Sequence, residues 1–438
     1  MSRKYLEEWV DVPAHIHHVA HRMANPPLER PESRKEFQQL LQCLEFPEDH
    51  SFVSENFGYG MRSDSNGDRL LLVWEAHTEY YSYQTWHIPH DKATPLAFGP
   101  LTFPDFSFPI CPLGIRVNAL DIILAPQQEL SHANLRAMFP GPHVYGSRVF
   151  GEDISVYTSF TPDTHLRERY LLSAGSSTAL LQQATRLVDT VVAIENYYHL
   201  IHLPYQAFSR AVDQVHDFEQ RHLYQRAVIT EQLATSTAAT LHKRLTVLTQ
   251  DFLQVSRLAQ SMRYKLSASV PYDSIIRGNI QALQERPLHP LPPLSDYVFS
   301  RVTGMSDGYQ QFLRRIHALQ RDFEATISVI RTRIELLVQD QNLSLQDQNL
   351  SLLSSVDKTT KSQVLLQHTV ESLSVIVITY YLAGLGNYVF KAMQALGWIA
   401  NADYATAIFV PVALGTSFGF LVLGRRLIHK RISSRSQT

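Results

Sequence analysis

In the stretch VWEAHTEYYSYQTWHI, Glu75, His77 and Glu79 alternate with Trp74, Ala76, Thr78 and Tyr80. Successive side chains of a β-strand point to opposite faces, so a strand here gathers two carboxylates and an imidazole on one side. That donor set suits a divalent cation. A salt-bridged or solvated strand face uses the same residues, and the motif supplies no fourth ligand. Near the N-terminus, His15, His17, His18 and His21 form H-x-H-H-x-x-H. Read as a helix, the run puts His17 and His21 on one face at the i,i+4 spacing of a metal pair. Chance weighs against that motif, because the chain holds 20 histidines. P-loop, nucleophile-elbow, HExxH and CxxC patterns are missing from the sequence. The chain is therefore expected not to be an enzyme, and no small-molecule substrate is identifiable. A divalent cation at Glu75, His77 and Glu79 is the one cofactor the residues suggest.

The composition is that of a folded protein: 45% apolar, 18% charged, with a net charge of −2 over 438 residues. It has no basic surplus to recruit nucleic acid and no acidic excess to keep the chain unfolded. Two cysteines, Cys43 and Cys111, are too few for a disulfide framework, and reduced thiols in a cytosolic compartment are expected.

The elements that must carry these residues are divided by glycine and proline. Of the 40 such residues, 24 fall within positions 1–175, while 176–203, 205–270 and 309–383 contain neither. Long runs without a breaker predict helix. The first 175 residues read as an α/β domain. Ser33 and Glu36 suggest a capping box before FQQLLQCL, and strands are expected at Asp68–Ala76, Thr78–Ile88, Ile115–Leu124, Ile154–Phe160 and Glu168–Ser173. A helical midsection, 176–295, ends in the proline-rich segment RPLHPLPPLS, read as a hinge, and a stalk helix occupies 296–370. The fold class expected is α+β, with an N-terminal α/β domain, a long helical bundle or stalk and a C-terminal two-helix transmembrane hairpin in 371–438.

That hairpin rests on two uncharged apolar runs. Leu373–Phe390 lies between Glu371 and Lys391 and covers about 27 Å as a helix, close to the hydrocarbon thickness of a bilayer. Tyr404–Gly424 ends in RRLIHKR, and Arg425, Arg426, Lys430, Arg431 and Arg435 cluster beyond it. The positive-inside rule then places both termini in the cytoplasm, with two spans in the inner membrane and a short external loop. Gly415 and Gly419 form a GxxxG that lets helices approach closely. Thr379, Tyr380 and Asn387 are polar groups at membrane depth, candidates for lining a pore, with interhelical hydrogen bonding and interfacial anchoring as the competing roles.

Upstream, Phe312, Ile316, Leu319, Phe323, Ile327, Ile330, Ile334 and Val338 recur at mostly four-three spacing, a coiled-coil stripe. The unit QDQNLSL then occurs twice in tandem, at Gln339–Leu345 and Gln346–Leu352, which preserves the heptad phase. Gln341 and Gln348 fall at seam positions, where polar residues either fix the register of a symmetric bundle or stand as a local packing defect tolerated beside solvent. Such a stripe needs a partner surface, intramolecular or oligomeric, and a homo-oligomer is expected.

Three stretches carry a family resemblance. IRTRIELLVQDQN, followed by QNLSLLSSVDK and LLQHTVESLSVIVITYYLAGLGNYVFKAM, resembles the basic helix, QN-x-x-LL segment and TVEGLS membrane entry of an uncharacterised bacterial membrane-anchored family, domain of unknown function 3422, with Ser372 where the family has glycine. VWEAHTEYYSY is similar to the family's W-E-R-H-T-E-F strand, with Ala76 in place of arginine, and RLVDTVVAIENYYHLIHLP to a helix with an L-E-I-E-T-Y-R core. Of an E-L-H-A-R-P-P signature, Ala24, Pro26 and Pro27 remain. The resemblance implies a membrane anchor and no assigned activity. The order of parts also resembles CorA-type magnesium channels, whose Gly-Met-Asn motif is echoed only by Gly386–Asn387. Two readings lead, a homo-oligomeric membrane protein with ion passage as one outcome, or a membrane-tethered scaffold without a pore; a membrane-anchored enzyme with Glu75, His77 and Glu79 at its site ranks behind them.

Overall fold

The computed structural model describes residues 8–93, 95–101, 113–126, 130–151 and 154–435, with side chains in the last helix described through Leu423 except at 421. Cys111 lies outside the described residues, while Cys43 is a free thiol on the surface. The chain divides into two compact units, Met1–Arg331 and Thr332–Thr438. The stretches 1–175 and 176–295 thus fall in one unit.

The first unit is built on a mixed sheet. Its strands are β1 (Ala14–Arg22), β2 (Ser51–Val53), β3 (Phe57–Ser63), β4 (Arg69–Ala76), β5 (Tyr80–Ile88), β6 (Ile115–Pro126), β7 (Tyr145–Val149), β8 (Ile154–Thr158), β9 (Glu168–Ala174) and β10 (Arg286–Pro287). Among the described residues they lie in the order β10-β7-β8-β9-β6-β1-β5-β4-β3-β2. The β6–β9 pair is parallel and the other pairs are antiparallel. All five expected strands are present. The histidine run, however, is not helical: it is β1, central in the sheet, paired with β5 and β6. A helical spacing of His17 and His21 is thereby replaced by strand alternation, which sends His18 to the opposite face from His15 and His17.

Helix α1 (Pro26–Cys43) covers one face, packing Phe37, Leu40 and Leu41 on Leu70, Leu72, Trp74, Tyr81 and Tyr83. It begins earlier than the Ser33–Glu36 signal indicated, because Pro26 and Pro27 preset the first turn and the Glu29 carboxylate accepts from the amides of Ala24 and Asn25 at 3.0 and 2.9 Å. Ser33 is instead buried within the helix, donating to the Arg30 carbonyl. Beside it, α2 (His132–Met138) packs Leu135 in a second cluster with Ile123, Tyr157 and Leu171. The other face lies under α3 (Ser177–His202), which packs in turn on α6 (Ser269–Ala282). Between these come α4 (Tyr205–Gln232) and α5 (Ala238–Leu266), which occupy the run 205–270 expected to be helical.

The proline-rich segment is docked on the sheet edge. β10 pairs with β7, Leu288 and Leu291 are buried, and the Gly146 amide donates to the Pro292 carbonyl at 3.0 Å. Helix α7 then runs from Leu294 to Ala395. Its portion in the first unit joins α4 and α5 in a bundle: Phe208 meets Tyr309 and Phe312, the His222 ring meets Phe323 at 4.5 Å, and the Gln320 amide donates to Ser256.

In the second unit α7 continues and α8 (Ala402–Arg435) follows after a turn at Gly397, whose φ of 77° suits glycine. A Cβ at Gly386 would lie 2.6 Å from the Phe409 ring, so this glycine lets the two helices approach. Gly415 and Gly419, the expected packing pair, have nothing within 4 Å of where a Cβ would stand, so they make no close approach within the chain. Among the described residues one helix, α7, is long and apolar enough to cross a membrane, and 11% of its most apolar window is buried. The expectation of two such helices is therefore met in part: α8 is helical across Tyr404–Gly424, with Pro411 inside it, but does not meet the same measure. The side chains of Arg425, Arg426, Lys430, Arg431 and Arg435 lie outside the described residues.

Candidate functional site: a polar cleft beneath helix α3

Strand alternation decides what faces α3. On β4, Leu72, Trp74 and Ala76 turn into the α1 core, which leaves Val73 and Glu75 on the opposite face. Glu75 and His77 there meet His18 of β1, Ser82 and Gln84 of β5, and Asn196 of α3, around a cleft of about 480 Å³. His77 Nε2 lies 3.6 Å from Glu75 Oε2, and its ring stacks on Tyr80 with centroids 4.2 Å apart. His18 Nε2 donates to Asn196 Oδ1 at 3.1 Å, while its Nδ1 is buried without a hydrogen-bond partner. Burial lowers the His18 pKa to about 4, against the opposing effects of Asn196 and Glu75, so the imidazole is neutral at physiological pH.

Glu79 belongs to a neighbouring cavity of about 350 Å³, lined also by Arg30, His77, Tyr80, Tyr197 and Tyr272. Its carboxylate accepts from the Tyr272 hydroxyl, and Tyr272 and Tyr197 have ring centroids 5.3 Å apart. The turn between β4 and β5 closes when the His77 amide donates to the Tyr80 carbonyl at 2.8 Å, so Tyr80 lines both cavities. Glu75 and His77 are thus brought together and Glu79 is held apart. Among the described residues, two trios of His, Asp and Glu have ligand atoms within 4.8 Å of one another, and neither contains these three.

One of the two is His15, His17 and Asp121, on the sheet face opposite the cleft. His15 Nε2 donates to Asp121 Oδ1 at 2.6 Å, and the Gly99 amide donates to Oδ2 at 2.9 Å. Arg167 brings its guanidinium to 2.5 Å from His17 Nδ1. Burial, then the Arg167 charge, lowers the His17 pKa to about 3. The arginine already supplies the positive charge that Asp121 needs, which makes this a compensated structural cluster. The other trio is Glu168, Glu195 and His199. Neither Asp121 nor this second trio was expected from sequence. A signal for the latter was present, since Glu195 and His199 sit i,i+4 within the apolar helix sequence VVAIENYYHLI.

Of the stalk and hairpin residues, Gln341 and Gln348 are exposed. Thr379 is buried and donates to the Val375 carbonyl at 2.7 Å, Tyr380 is exposed, and Asn387 Oδ1 faces the Thr406 hydroxyl of α8 at 3.4 Å. Two of the three pore candidates thus face inward or toward the adjoining helix.

A mixed-sheet α+β domain with a polar cleft, its chain continuing into a long apolar helix, defines the class. Within it, the chain belongs to the family described as protein of unknown function (DUF3422), whose profile matches residues 3–432. No curated protein matches the chain. Two of the family-like stretches, VWEAHTEYYSY on β4–β5 and IENYY on α3, face each other across the cleft through His77, Tyr80 and Asn196.

Proposed function

We propose that the protein is a two-span anchor of the inner membrane, with both termini cytoplasmic, that self-associates through its stalk and acts as a tethered interaction scaffold. One observation carries this reading. Helix α7 is unbroken from Leu294 to Ala395: its early apolar stripe is buried, while its late apolar window is almost wholly exposed. A long exposed apolar helix face needs lipid or protein to cover it. The second uncharged run and the basic residues after it supply the return span and its orientation. Leu345, Leu352 and Val356 continue the seam on an exposed face, and identical copies in one membrane would present it in the same register. The orientation of Asn387 toward Thr406 and the burial of Thr379 favour helix packing over an ion path.

The test labels single cysteines with a membrane-impermeant maleimide after Cys43→Ser and Cys111→Ser. In intact spheroplasts, Asn401→Cys should react and Ser433→Cys should not, with the order reversed in inverted vesicles. Release of the protein by alkaline carbonate, or reaction of both positions from one side, would overturn the two-span reading. Cation flux in liposomes reconstituted with the protein would replace the scaffold by a CorA-type ion path.

A further inference from the structure

Glu168 opens β9 and faces α3, where Glu195 and His199 stand one turn apart. Both carboxylates are deeply buried, at 6% and 0% exposure. His199 Nε2 lies 3.1 Å from Glu168 Oε1 and 3.5 Å from Glu195 Oε2. Among the described residues, His199 is the one basic side chain paired with either acid. The remaining oxygen of Glu168, Oε2, and Glu195 Oε2 are buried without hydrogen-bond partners. Two buried acids with orphaned oxygens and no arginine or lysine are the reverse of the Asp121 cluster, where Arg167 is in place. A cation between the two carboxylates would compensate their burial.

We infer that Glu168, Glu195 and His199 form a binding site for a divalent transition ion of the zinc class. A tetrahedral ion bound at about 2.0–2.1 Å sets its ligands about 3.3–3.4 Å apart, which the 3.1 and 3.5 Å separations bracket. One nitrogen and two carboxylate oxygens are a borderline donor set suited to zinc, cobalt or manganese, with a water at the open position. The outer partner of a metal site is present as well. The Tyr170 hydroxyl donates to Glu195 Oε1, which fixes the carboxylate with Oε2 turned toward His199. The His199 side chain is 28% exposed, which gives an ion its approach. Burial, and at Glu195 also the neighbouring Glu168 carboxylate, raises the pKa of both acids, an electrostatic cost that a bound cation would offset. This site is separate from the cleft at Glu75 and His77, and the inference stands independently of the membrane reading.

The test titrates full-length protein in detergent, stripped of metal, with Zn²⁺ and with Co²⁺. The expected result is one tight ion per chain, proton release on binding, a Co²⁺ spectrum of nitrogen and oxygen ligation, and a rise in Tm with Zn²⁺. Glu195→Gln and His199→Ala should each weaken binding more than about 100-fold, while Tyr170→Phe, which removes only the outer partner, should cost about 10–100-fold. The paired changes Glu75→Gln with His77→Ala, and His15→Ala with His17→Ala, should leave that ion in place. Because Glu195→Gln removes a deeply buried acid and keeps an oxygen to accept from Tyr170, its metal-free Tm should hold or rise, which separates loss of the site from loss of the fold. Absence of a tight ion in the parent, or tight binding that survives in Glu195→Gln and His199→Ala, overturns the site.

Discussion

Two stretches of helix α7 carry the same pattern and meet opposite fates. In the first, Phe312, Ile316, Leu319, Phe323, Ile327 and Ile330 are buried. In the second, Leu345, Leu352 and Val356 continue the heptad, yet each is about half exposed or more, at 49%, 64% and 61%. The difference lies in the neighbours. Helices α4 and α5 line up beside the first stretch, with Phe208, His222 and Ser256 meeting it. A four-three repeat therefore specifies a face that must be covered, and leaves the identity of the cover to the rest of the chain or to another molecule.

The largest expected effect sharpens that contrast at Phe323, which is fully buried. Phe323→Ala should destabilise the first unit by about 3–5 kcal/mol, whereas Leu352→Ala should stay within about 0.5 kcal/mol, both measured by denaturant unfolding of the full chain. Equal losses would erase the distinction between the stretches. Next comes His222, 3% exposed, whose Nε2 donates to the Thr326 hydroxyl at 3.0 Å while that hydroxyl donates to the Asp322 carbonyl. Thr326→Val removes this acceptor and leaves the imidazole the Asp322 carbonyl, and should cost about 1 kcal/mol. Burial lowers the His222 pKa, with Asp322 opposing the shift and Arg226 adding to it. As pH falls below about 6.5 the unfolded chain takes up a proton that the folded bundle refuses, so stability declines toward acid. His222→Gln should make the slope of stability against pH shallower in that window; an unchanged slope would remove His222 from the account.

The same distinction between pattern and partner governs what was legible in the sequence. Runs rich in β-branched and aromatic residues located β4, β5, β6, β8 and β9, because a buried strand leaves that mark directly in its composition. β1 escaped because its inward positions are filled by histidines, which become acceptable in a core only through Asp121, Asn196 and the rings stacked on them. Glu75 and His77 were readable as a pair from alternation alone, but Glu79 was separated from them by a turn whose geometry depends on Tyr80 and Tyr272. Asp121 and Glu195 are single acids in apolar sequence and Glu168 lies between two arginines; they are joined to partners over 106, 25 and 31 residues of chain at His15, Tyr170 and His199. Contacts over such separations are set by the order of strands, which local pattern does not encode.

The smallest expected change in folding carries the most information about the exposed stretch. Leu345→Asp together with Leu352→Asp alters two exposed positions one heptad apart, so the unfolding free energy of the first unit should stay within about 0.5 kcal/mol of the parent. If a second copy covers this face, the same change places like charges across the seam and should abolish the cross-linked dimer or higher species formed by the detergent-extracted parent. Gln341→Leu with Gln348→Leu provides the opposite perturbation: it removes the polar seam groups, and should strengthen association while loosening its register. A parent that remains monomeric at every concentration, or cross-linking untouched by the paired aspartates, would assign the exposed stripe to some other cover and leave the duplicated heptad as a spacer.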